Sequence, residues 1–389
     1  MAFIFTEDQE QFRQSVSRFL KDKSSTGEVR SLMATDSGFD PNVWKQLSQQ
    51  LGMTGVHMPE DLGGAGFGPV EMAIVSEEMG KSLYCGPYFA SAVCAANALR
   101  LAGDELQQET LLPEIISGER LACFAVSESH GVWTDENFTT RATKIDHGHL
   151  LNGHKRFVVD AINAHTLIVA ACDEHGIGFF VVDAAAHGVS ITALDSMDPT
   201  RKLADVQFID SPAQRLTNSK PAQLRLLVDI ASTALANEMV GGAQTLLDSA
   251  LSYTQLRFQF GRSIASFQAI KHRLADLLLE LELAKSAAYQ AAQTLANSAL
   301  WSTNEHATNA EQVTEHASLA KAAASDVYLH TALECIQMHG GIGFTWENDT
   351  HLWFKRAKSS EVFLGTPAEH RERMLTALCA QPNNQRNSA

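Results

Sequence analysis

The hydrophobic pattern of this chain changes its period twice, and that change constrains the fold more than any other feature. Up to about residue 120, apolar residues recur at three- and four-residue steps, as in amphipathic helices. From Gly118 the chain breaks into short β-rich runs separated by turns, and from Pro221 the helical period returns and holds to Ala380. The pattern predicts a mainly α protein with a central β domain. We expect a helical domain over 1–120, a β barrel or sandwich over 121–220, a helical bundle over 221–380 and a polar tail over 381–389.

Local signals indicate where individual helices begin. Thr6 with Gln9 three residues later forms a box-like N-cap pattern, and Asp40 before a proline opens another helix. The spacing predicts a helix over 69–81 whose Glu77 and Glu78 face outward together with Glu71. The β-rich runs lie at 121–126, 139–143, 156–159, 167–171, 178–182 and 204–209, and turns are predicted at 146–148 and 152–153.

Composition narrows the class of partner. The net charge of −15 disfavours binding to nucleic acid or to an anionic membrane, although a local basic patch could still meet an anionic cofactor. The six cysteines are scattered without a C-x-x-C pair, so neither a metal site nor a redox pair is indicated, and reduced thiols fit a cytoplasmic protein. We see no signal peptide and no apolar run long enough to span a bilayer.

Two glycine-rich breaks lie close together near the C-terminus. A helical pattern ends at Gly340 and Gly341, after Gln337, and a second helix ends before Thr366, the predicted N-cap of the last helix. Glycine turns and helix N-termini present unpaired N–H groups, which suit an anionic group such as a diphosphate. A helical hairpin with ordinary caps explains the same residues.

A second motif follows the long helix of the C-terminal half. The run from Arg257 through Phe260, Gly261 and Gln268 to Asp276 predicts a helix that ends at Gly261 and another that begins near Ser266. An ordinary capped turn between two helices would account for Gly261 but not for the other residues of this motif.

These motifs together resemble the acyl-CoA dehydrogenase family. The similar elements are Arg-x-x-Phe-Gly-x-x-Ile, then Phe-Gln and Leu-Ala-Asp, and later Gln-x-x-Gly-Gly-x-Gly-Phe, Arg-x-Ala-Lys and Gly-Thr. A Pro-Glu-x-x-Gly-Gly loop at 59–64 is also similar to that family. The resemblance implies an N-terminal helical domain, a β barrel or sandwich and a C-terminal four-helix bundle. It also implies an FAD flavoprotein of lipid metabolism that oxidises acyl-CoA thioesters between Cα and Cβ.

The resemblance assigns the cofactor contacts. It places Arg257, Phe260 and Gln268 at the adenosine-diphosphate end of FAD, commonly that of a neighbouring subunit, in a homo- or hetero-oligomer such as a dimer or tetramer. A guanidinium gives paired donors to phosphate, and an aromatic ring packs beside adenine. Gln337, Gly340, Gly341 and Thr366 complete the expected cofactor-binding set.

The middle of the chain departs from the family's flavin-ring motif. Where the family carries Thr-Glu-Pro-Gly-x-Gly-Ser-Asp, this chain has Ser127-Glu128-Ser-His-Gly-Val-Trp-Thr134, which keeps a hydroxyl at Ser127. Where the family has Trp-x-Thr or Trp-x-Ser, this chain reads Phe157-Val-Val159, and a valine cannot donate a side-chain hydrogen bond. We expect flavin contact at Ser127 and Phe157; the alternative is that both are ordinary sheet residues.

The residue expected to remove the α-proton is missing from its usual place. Most family members carry a Glu immediately before the Gly-Thr of the last loop, and this chain has Leu364 there. Some relatives place the base on the long helix instead, at a position that falls on Leu235. Glu238 lies three residues further along an apolar run, so we predict Glu238 as the base, with a salt bridge to an arginine as the alternative.

Three functions are therefore compatible with the resemblance. The first is an FAD-dependent acyl-CoA dehydrogenase that forms a trans-2-enoyl-CoA and passes electrons to an electron-transfer flavoprotein. The second is a non-catalytic subunit that completes the FAD site of a catalytic partner in a heteromer. The third is a flavin monooxygenase on the same scaffold. Neither the acyl chain of the substrate nor the pathway follows from the sequence.

Overall fold

The computed structural model describes residues 5–129, 131, 133, 138–302 and 307–381. The α-helices in the described residues are α1 (Glu7–Lys23), α2 (Thr26–Met33), α3 (Pro41–Lys45), α4 (Pro69–Lys81), α5 (Ala96–Ala102), α6 (Glu105–Ile116), α7 (Pro221–Leu256), α8 (Gln268–Ala296), α9 (Ala310–His339), α10 (Thr350–Val362) and α11 (Pro367–Ala380). The strands are β1 (Ala122–Ala125), β2 (Arg141–Ile145), β3 (Gly148–Val159), β4 (Thr166–Asp173), β5 (Gly176–Asp183), β6 (Val189–Leu194), β7 (Leu203–Arg215), β8 (Phe258–Gln259) and β9 (Arg262–Ser263). The predicted order of helical, β and helical segments is confirmed.

Side-chain caps fix the starts of the helices where the sequence predicted them. Thr6 and Gln9 exchange two hydrogen bonds at the start of α1, at 3.0 and 3.2 Å. Asp40 accepts a 2.7 Å hydrogen bond from the Asn42 N–H at the start of α3. Each cap satisfies backbone donors that the first turn leaves unpaired, so these boundaries depend on a few neighbouring residues and could be read locally.

The described chain divides into two compact units. The first contains the residues up to 21, residues 73–83 and the residues from 232 onward; the second contains 22–72 and 84–231. Because both units combine distant stretches of sequence, the domain boundaries predicted near 120 and 220 stay a prediction.

The second unit contains a closed barrel. Antiparallel pairs join β2 to β3, β3 to β7, β7 to β5 and β5 to β4, and a parallel contact between Arg141 and Cys172 joins β4 back to β2. β1 adds to β4 in parallel, and β6 adds to β7 in antiparallel fashion. Closure satisfies the backbone donors and acceptors that an open sheet would leave at its edges, and it decides between the barrel and the sandwich that the sequence allowed.

Two features of the barrel differ from the prediction. The turn predicted at 152–153 is wrong: Gly153 lies inside β3, at a register shift against β7, with φ of 155°. A Cβ at Gly153 would lie 2.6 Å from Thr140, so the glycine allows a close approach of two strands rather than a hairpin. The run at 189–194 was not predicted as a strand, although it forms β6 at the side of β7.

The prediction that Glu77 and Glu78 face outward is also wrong. In the first unit they are only 2% and 3% exposed on α4. Arg13 of α1 donates a 2.5 Å hydrogen bond to Glu77, and Lys81 lies 2.7 Å from Glu78. Tyr289 of α8 donates to Glu77 at 3.0 Å. These partners hold the pKa of Glu77 below its usual range despite burial. A helix surrounded by protein buries its polar face as well, and the carboxylates then require partners.

In the part of the chain that the structure describes, the helices all fall short of the length and hydrophobicity that a membrane crossing requires.

Candidate active site

The motif around Phe260 forms a β-hairpin, not a direct helix–helix turn. α7 ends at Leu256 rather than at Gly261, and strands β8 and β9 follow with Phe260 and Gly261 as their two-residue loop. Both loop residues have positive φ, 53° and 78°, as a type I′ turn requires. Asn-Gly is the usual sequence for that turn, so Phe-Gly gave no local signal for a hairpin and the predicted helix end was wrong.

Phe260 is held in an unfavourable conformation that directs its ring outward. A bulky residue with left-handed backbone is strained by about 1–3 kcal/mol, and yet the side chain is 90% exposed. Its ring lies edge-on to Phe267 at 6.2 Å, and the Arg262 guanidinium stacks on Phe267 at 4.0 Å. The hairpin therefore presents an aromatic ring that buries almost nothing against the described residues.

Positive charge gathers beside this hairpin in an otherwise acidic protein. Arg257 and Arg262 are exposed, and Gln268 is the exposed first residue of α8. The N-cap of α8 is Phe267, whose side chain has no oxygen to accept from the first-turn N–H groups. An uncapped helix N-terminus flanked by two guanidinium groups suits a diphosphate. The residues present therefore fit the anionic end of a dinucleotide.

The second group of predicted cofactor-binding residues lies at the end of α9 and the start of α11, also in the first unit. α9 ends at His339, and Gln337, Gly340 and Gly341 are exposed. A Cβ added at either glycine would meet no described atom within 4 Å, so the fold of this chain leaves room there for an outside group. Thr366 is the N-cap of α11: its hydroxyl donates to Glu369 at 2.8 Å and accepts from the Glu369 N–H at 3.3 Å. The predicted cap is confirmed.

Ser127, in the second unit, has a buried hydroxyl to which the described residues offer no hydrogen-bond partner. The residue is 3% exposed, and no described protein atom forms a hydrogen bond with Ser127 Oγ. Its carbonyl accepts a 2.8 Å hydrogen bond from the Arg156 N–H, which fixes the backbone. An orphaned buried hydroxyl is costly unless a ligand or water completes it, so Ser127 fits contact with a flavin. His130, Val132 and Thr134 of the same stretch lie outside the described residues.

A buried lysine that the sequence reasoning missed supports this segment. Lys155 of β3 is fully buried and donates to the Val126 carbonyl at 3.0 Å and to Glu128 at 2.9 Å. Glu128 also accepts from the N–H of Thr139 at 2.7 Å and from that of Thr140 at 3.0 Å. Burial lowers the pKa of Lys155 to about 8, whereas these hydrogen bonds lower the pKa of Glu128 to about 2. The available signal was a lysine directly before the β-rich run at 156–159.

Phe157 occupies an irregular point of the same strand. It has φ of 56° and lies in the register shift between Lys155 and Val158, where β3 pairs with β7. Its ring is 39% exposed and is covered on one side by Arg156, whose guanidinium lies 5.1 Å from the ring centre. Val159 returns to regular pairing opposite Leu203 and is buried. The bulge turns the aromatic ring out of the strand, as bulges next to binding sites do.

Leu364 lies in the short connection between α10 and α11. It is 5% exposed, has φ of 65°, and its carbonyl accepts a 3.1 Å hydrogen bond from Nε2 of the buried His370. A leucine has no atom that accepts a proton, so this position holds a bound group only by shape and apolar contact.

Glu238 is engaged in an ion pair within its own chain. Its Oε1 accepts a 2.7 Å hydrogen bond from Nη1 of Arg356 on α10, and both residues are buried. The salt bridge considered from the sequence is therefore present, with an arginine of the same chain rather than one across an interface. Leu235, the position that some relatives use for the base, is also buried on α7.

Two family models match this chain. The acyl-CoA dehydrogenase N-terminal domain matches residues 6–119, and the acyl-CoA dehydrogenase C-terminal domain matches residues 228–379, together more than half of the chain. The chain belongs to the acyl-CoA dehydrogenase family. Members of that family are typically FAD flavoproteins.

Relatives and solved structures are similar to this chain over nearly its full length. Acyl-CoA dehydrogenase IpdE2 of Mycobacterium tuberculosis is 29% identical over 376 residues, which cover 97% of this chain and 99% of the relative. The solved Tcur3481-Tcur3483 steroid ACAD variant has a TM-score of 0.84 and 28% identity, over 96% of this chain and 98% of that chain. The ChsE4-ChsE5 complex from Mycobacterium tuberculosis has a TM-score of 0.88 and 25% identity, over 98% of this chain and 100% of that chain.

Proposed function

We propose that this acyl-CoA dehydrogenase family member is a subunit of a heteromeric acyl-CoA dehydrogenase and completes the FAD site of a second, dehydrogenase-like chain. The observation that carries the proposal is Leu364: a buried leucine occupies the place of the family's usual carboxylate. The carboxylate that could replace it, Glu238, is held at 2.7 Å by Arg356. The α-proton is then removed by the partner chain.

The hairpin at Phe260 supports a contribution to the partner's cofactor. Phe260 presents its ring to solvent, and Arg257, Arg262 and the N-terminus of α8 offer donors to a diphosphate. When bound, FAD supplies the hydride acceptor for α,β-dehydrogenation of an acyl-CoA thioester. In this proposal Arg257, Phe260 and Gln268 bind and orient its adenosine-diphosphate end. The other proposed cofactor-binding residues of the same unit are Gln337, Gly340, Gly341 and Thr366.

The names of two structural relatives support a two-chain assembly. One solved relative is a complex of ChsE4 with ChsE5, and another pairs Tcur3481 with Tcur3483 as a steroid ACAD. We extend this arrangement to the present chain and propose a bulky, steroid-derived acyl-CoA as the substrate class. Electrons leave through an electron-transfer flavoprotein, as expected of the family.

A second candidate is a dehydrogenase that acts without a partner of different sequence. It is favoured by the position of Glu238 on α7, three residues after Leu235, the position that some relatives use for the base. In that case Glu238 accepts the α-proton and the product is a trans-2-enoyl-CoA. Arg356 would then have to release the carboxylate when substrate binds.

The visible spectrum during an anaerobic titration separates the two candidates. The chain is purified alone and titrated with a panel of acyl-CoAs that includes a steroid acyl-CoA, and the titration is repeated after coexpression with a dehydrogenase-like chain that carries Glu before its Gly-Thr. We expect no bleaching of flavin absorbance for the chain alone and bleaching for the pair. Full bleaching of the chain alone would overturn the proposal and favour the second candidate.

A further inference from the structure

An aromatic stack joins the ends of α7 and α9 in the first unit. The imidazole ring of His339, the last residue of α9, lies against the ring of Tyr253 in the last turn of α7. The ring centres are 4.3 Å apart and the ring planes differ by 25°, so the two rings are stacked. The contact therefore holds the end of α9 beside the end of α7.

The stack brings together the two groups of residues predicted to bind the cofactor. Arg257 follows Tyr253 by one helical turn, and its N–H donates to the Tyr253 carbonyl at 2.9 Å, so both side chains leave the same side of the chain. Gly340 and Gly341 follow His339 directly. The arginine at the end of α7 and the glycine turn at the end of α9 are thus placed on the two sides of one aromatic contact, although they lie far apart in sequence.

A hydrogen bond inside α9 fixes which nitrogen of His339 donates. Nδ1 lies 2.8 Å from the Cys335 carbonyl oxygen, which can only accept, so Nδ1 carries a proton. The sulfur of Cys335 lies 3.7 Å from the same nitrogen. In the neutral ring Nε2 then holds the lone pair and is a hydrogen-bond acceptor.

The described residues offer Nε2 no hydrogen-bond partner. The polar contacts of the ring all involve Nδ1, and one ring face lies on Tyr253. His339 is only 6% exposed, and an acceptor in such a place is costly unless something donates to it. The glycines beside it leave room for that donor, because a Cβ at Gly340 or Gly341 would meet no described atom within 4 Å.

We propose that Nε2 of His339 accepts a hydrogen bond from the adenosine part of the cofactor, and that Tyr253 is the positioning residue that holds His339 for this contact. Adenosine offers two kinds of donor, the ribose hydroxyls and the 6-amino group of adenine. The diphosphate is left to Arg257 and the N-terminus of α8, which carry positive charge. The proposal rests on the proposed function in taking the ligand to be the adenosine-diphosphate end of FAD.

Binding of nucleotide fragments to the full chain tests the proposal without substrate and without a redox reaction. The chain is freed of flavin and titrated calorimetrically at pH 8 with ADP, inorganic diphosphate, 2′,3′-dideoxy-ADP and purine riboside diphosphate. The last two ligands lack the ribose hydroxyls and the 6-amino group, respectively. We expect the wild type to bind at least one of these two analogues about two- to tenfold more weakly than ADP, the range for one neutral hydrogen bond.

His339→Phe keeps a ring on Tyr253 and removes the acceptor. It should bind ADP about two- to tenfold more weakly than the wild type, and it should no longer distinguish ADP from the weaker analogue. Its affinity for inorganic diphosphate should not change. His330→Phe is the matched control, because His330 lies on the opposite side of α9 and is bonded to Glu280 at 2.8 Å. It should bind all four ligands as the wild type does.

Two variants of Tyr253 test its positioning role. Tyr253→Leu fills the space but cannot stack, and it should raise the Kd for ADP about as much as His339→Phe does. Tyr253→Phe keeps the stack and should bind ADP as the wild type does. An equal loss in both variants would show that the stack does not position the histidine.

Equal affinity of the wild type for ADP and both analogues would overturn the proposal, and this measurement needs no variant to fold. The proposal also fails if the wild type does not bind ADP, or if His339→Phe weakens ADP and inorganic diphosphate equally, because the histidine then only supports the fold. None of these results depends on whether a partner chain restores flavin reduction, so the proposed function is tested separately.

Discussion

The Glu238 carboxylate lies 2.7 Å from the Arg356 guanidinium, and the two residues connect the middle of α7 to α10 across 118 positions of sequence. An ion pair that is excluded from water is costly to form but still more costly to break on one side. The pair therefore explains how a carboxylate is tolerated in an apolar helix without any need for a catalytic role.

Removal of Arg356 should destabilise the chain more than removal of both partners. Arg356→Met leaves the Glu238 carboxylate buried without its cation and should cost roughly 3–5 kcal/mol of unfolding free energy. The double variant Glu238→Leu/Arg356→Met should recover most of that loss, because no buried charge remains. Urea unfolding of the two single variants and of the double variant measures the coupling directly. Additive losses would show that the pair is not a unit.

Glu238→Gln separates the structural role from the catalytic one. Loss of a general base typically lowers the rate by about 10²–10⁴. If the partner chain supplies the base, the assembled complex with Glu238→Gln should reduce its flavin within about threefold of the wild-type rate, a much smaller change than the loss of a general base causes. Stopped-flow flavin reduction with a saturating acyl-CoA gives the rate. A loss of a hundredfold or more, with flavin occupancy unchanged, would restore Glu238 as the base.

Arg257→Ala should weaken FAD binding in the assembled protein. A hydrogen bond to a charged group contributes about 1.5–3 kcal/mol, which corresponds to a Kd about ten- to a hundredfold higher. The matched control is Arg18→Ala, an exposed arginine of α1. Titration of the apoprotein with FAD, followed by flavin fluorescence, measures both. Equal Kd values for the two variants would remove Arg257 from the cofactor site.

Phe260→Asn should stabilise the isolated chain and weaken its assembly. Asn adopts the left-handed conformation of Phe260 more readily than a bulky aromatic residue, so relief of strain should raise the unfolding free energy by about 1 kcal/mol. The same change removes the ring that we expect to contact the partner's cofactor. Thermal unfolding of the chain alone, and sedimentation of the mixture with its partner, measure the two effects.

Phe67→Asn provides the comparison for this variant, since Phe67 is also an exposed aromatic residue but has no positive φ. It should leave assembly unchanged. Unaltered assembly in both variants would show that the Phe260 ring faces only solvent.

Glu128→Gln should destabilise the chain at neutral pH but not in acid. The folded-state pKa of Glu128 is about 2, below its ordinary value of 4.5, so its contribution to stability is present above about pH 4.5 and is lost as the pH falls toward 2. The variant should therefore melt below the wild type at pH 7, and the gap should close as the pH is lowered through that window. Thermal unfolding at a series of pH values gives the result, with the exposed Glu372→Gln as a control. A gap that does not change with pH would mean that the carboxylate charge is not what stabilises the segment around Ser127.

The sequence by itself determined the features that depend on neighbouring residues. The two changes of hydrophobic period fixed the order of helical and β segments, and short capping patterns located Thr6, Asp40 and Thr366 at helix starts. The leucine at position 364, where the resemblance to the family implies a glutamate, could also be read directly, because the position is defined by the Gly-Thr pair that follows it.

Only the tertiary structure decided which distant groups meet. Glu77 and Glu78 look like an outward face along the helix, yet Arg13, 64 positions away, draws Glu77 into a buried ion pair. The same holds for the barrel's closure, for Lys155 with Glu128 and for Glu238 with Arg356. The reason is physical: hydrophobic period and capping act within one or two turns, whereas the solvation of a charge is set by whatever chain packs against it. A sequence therefore shows that a carboxylate lies on an apolar helix, and the fold decides whether it has a partner.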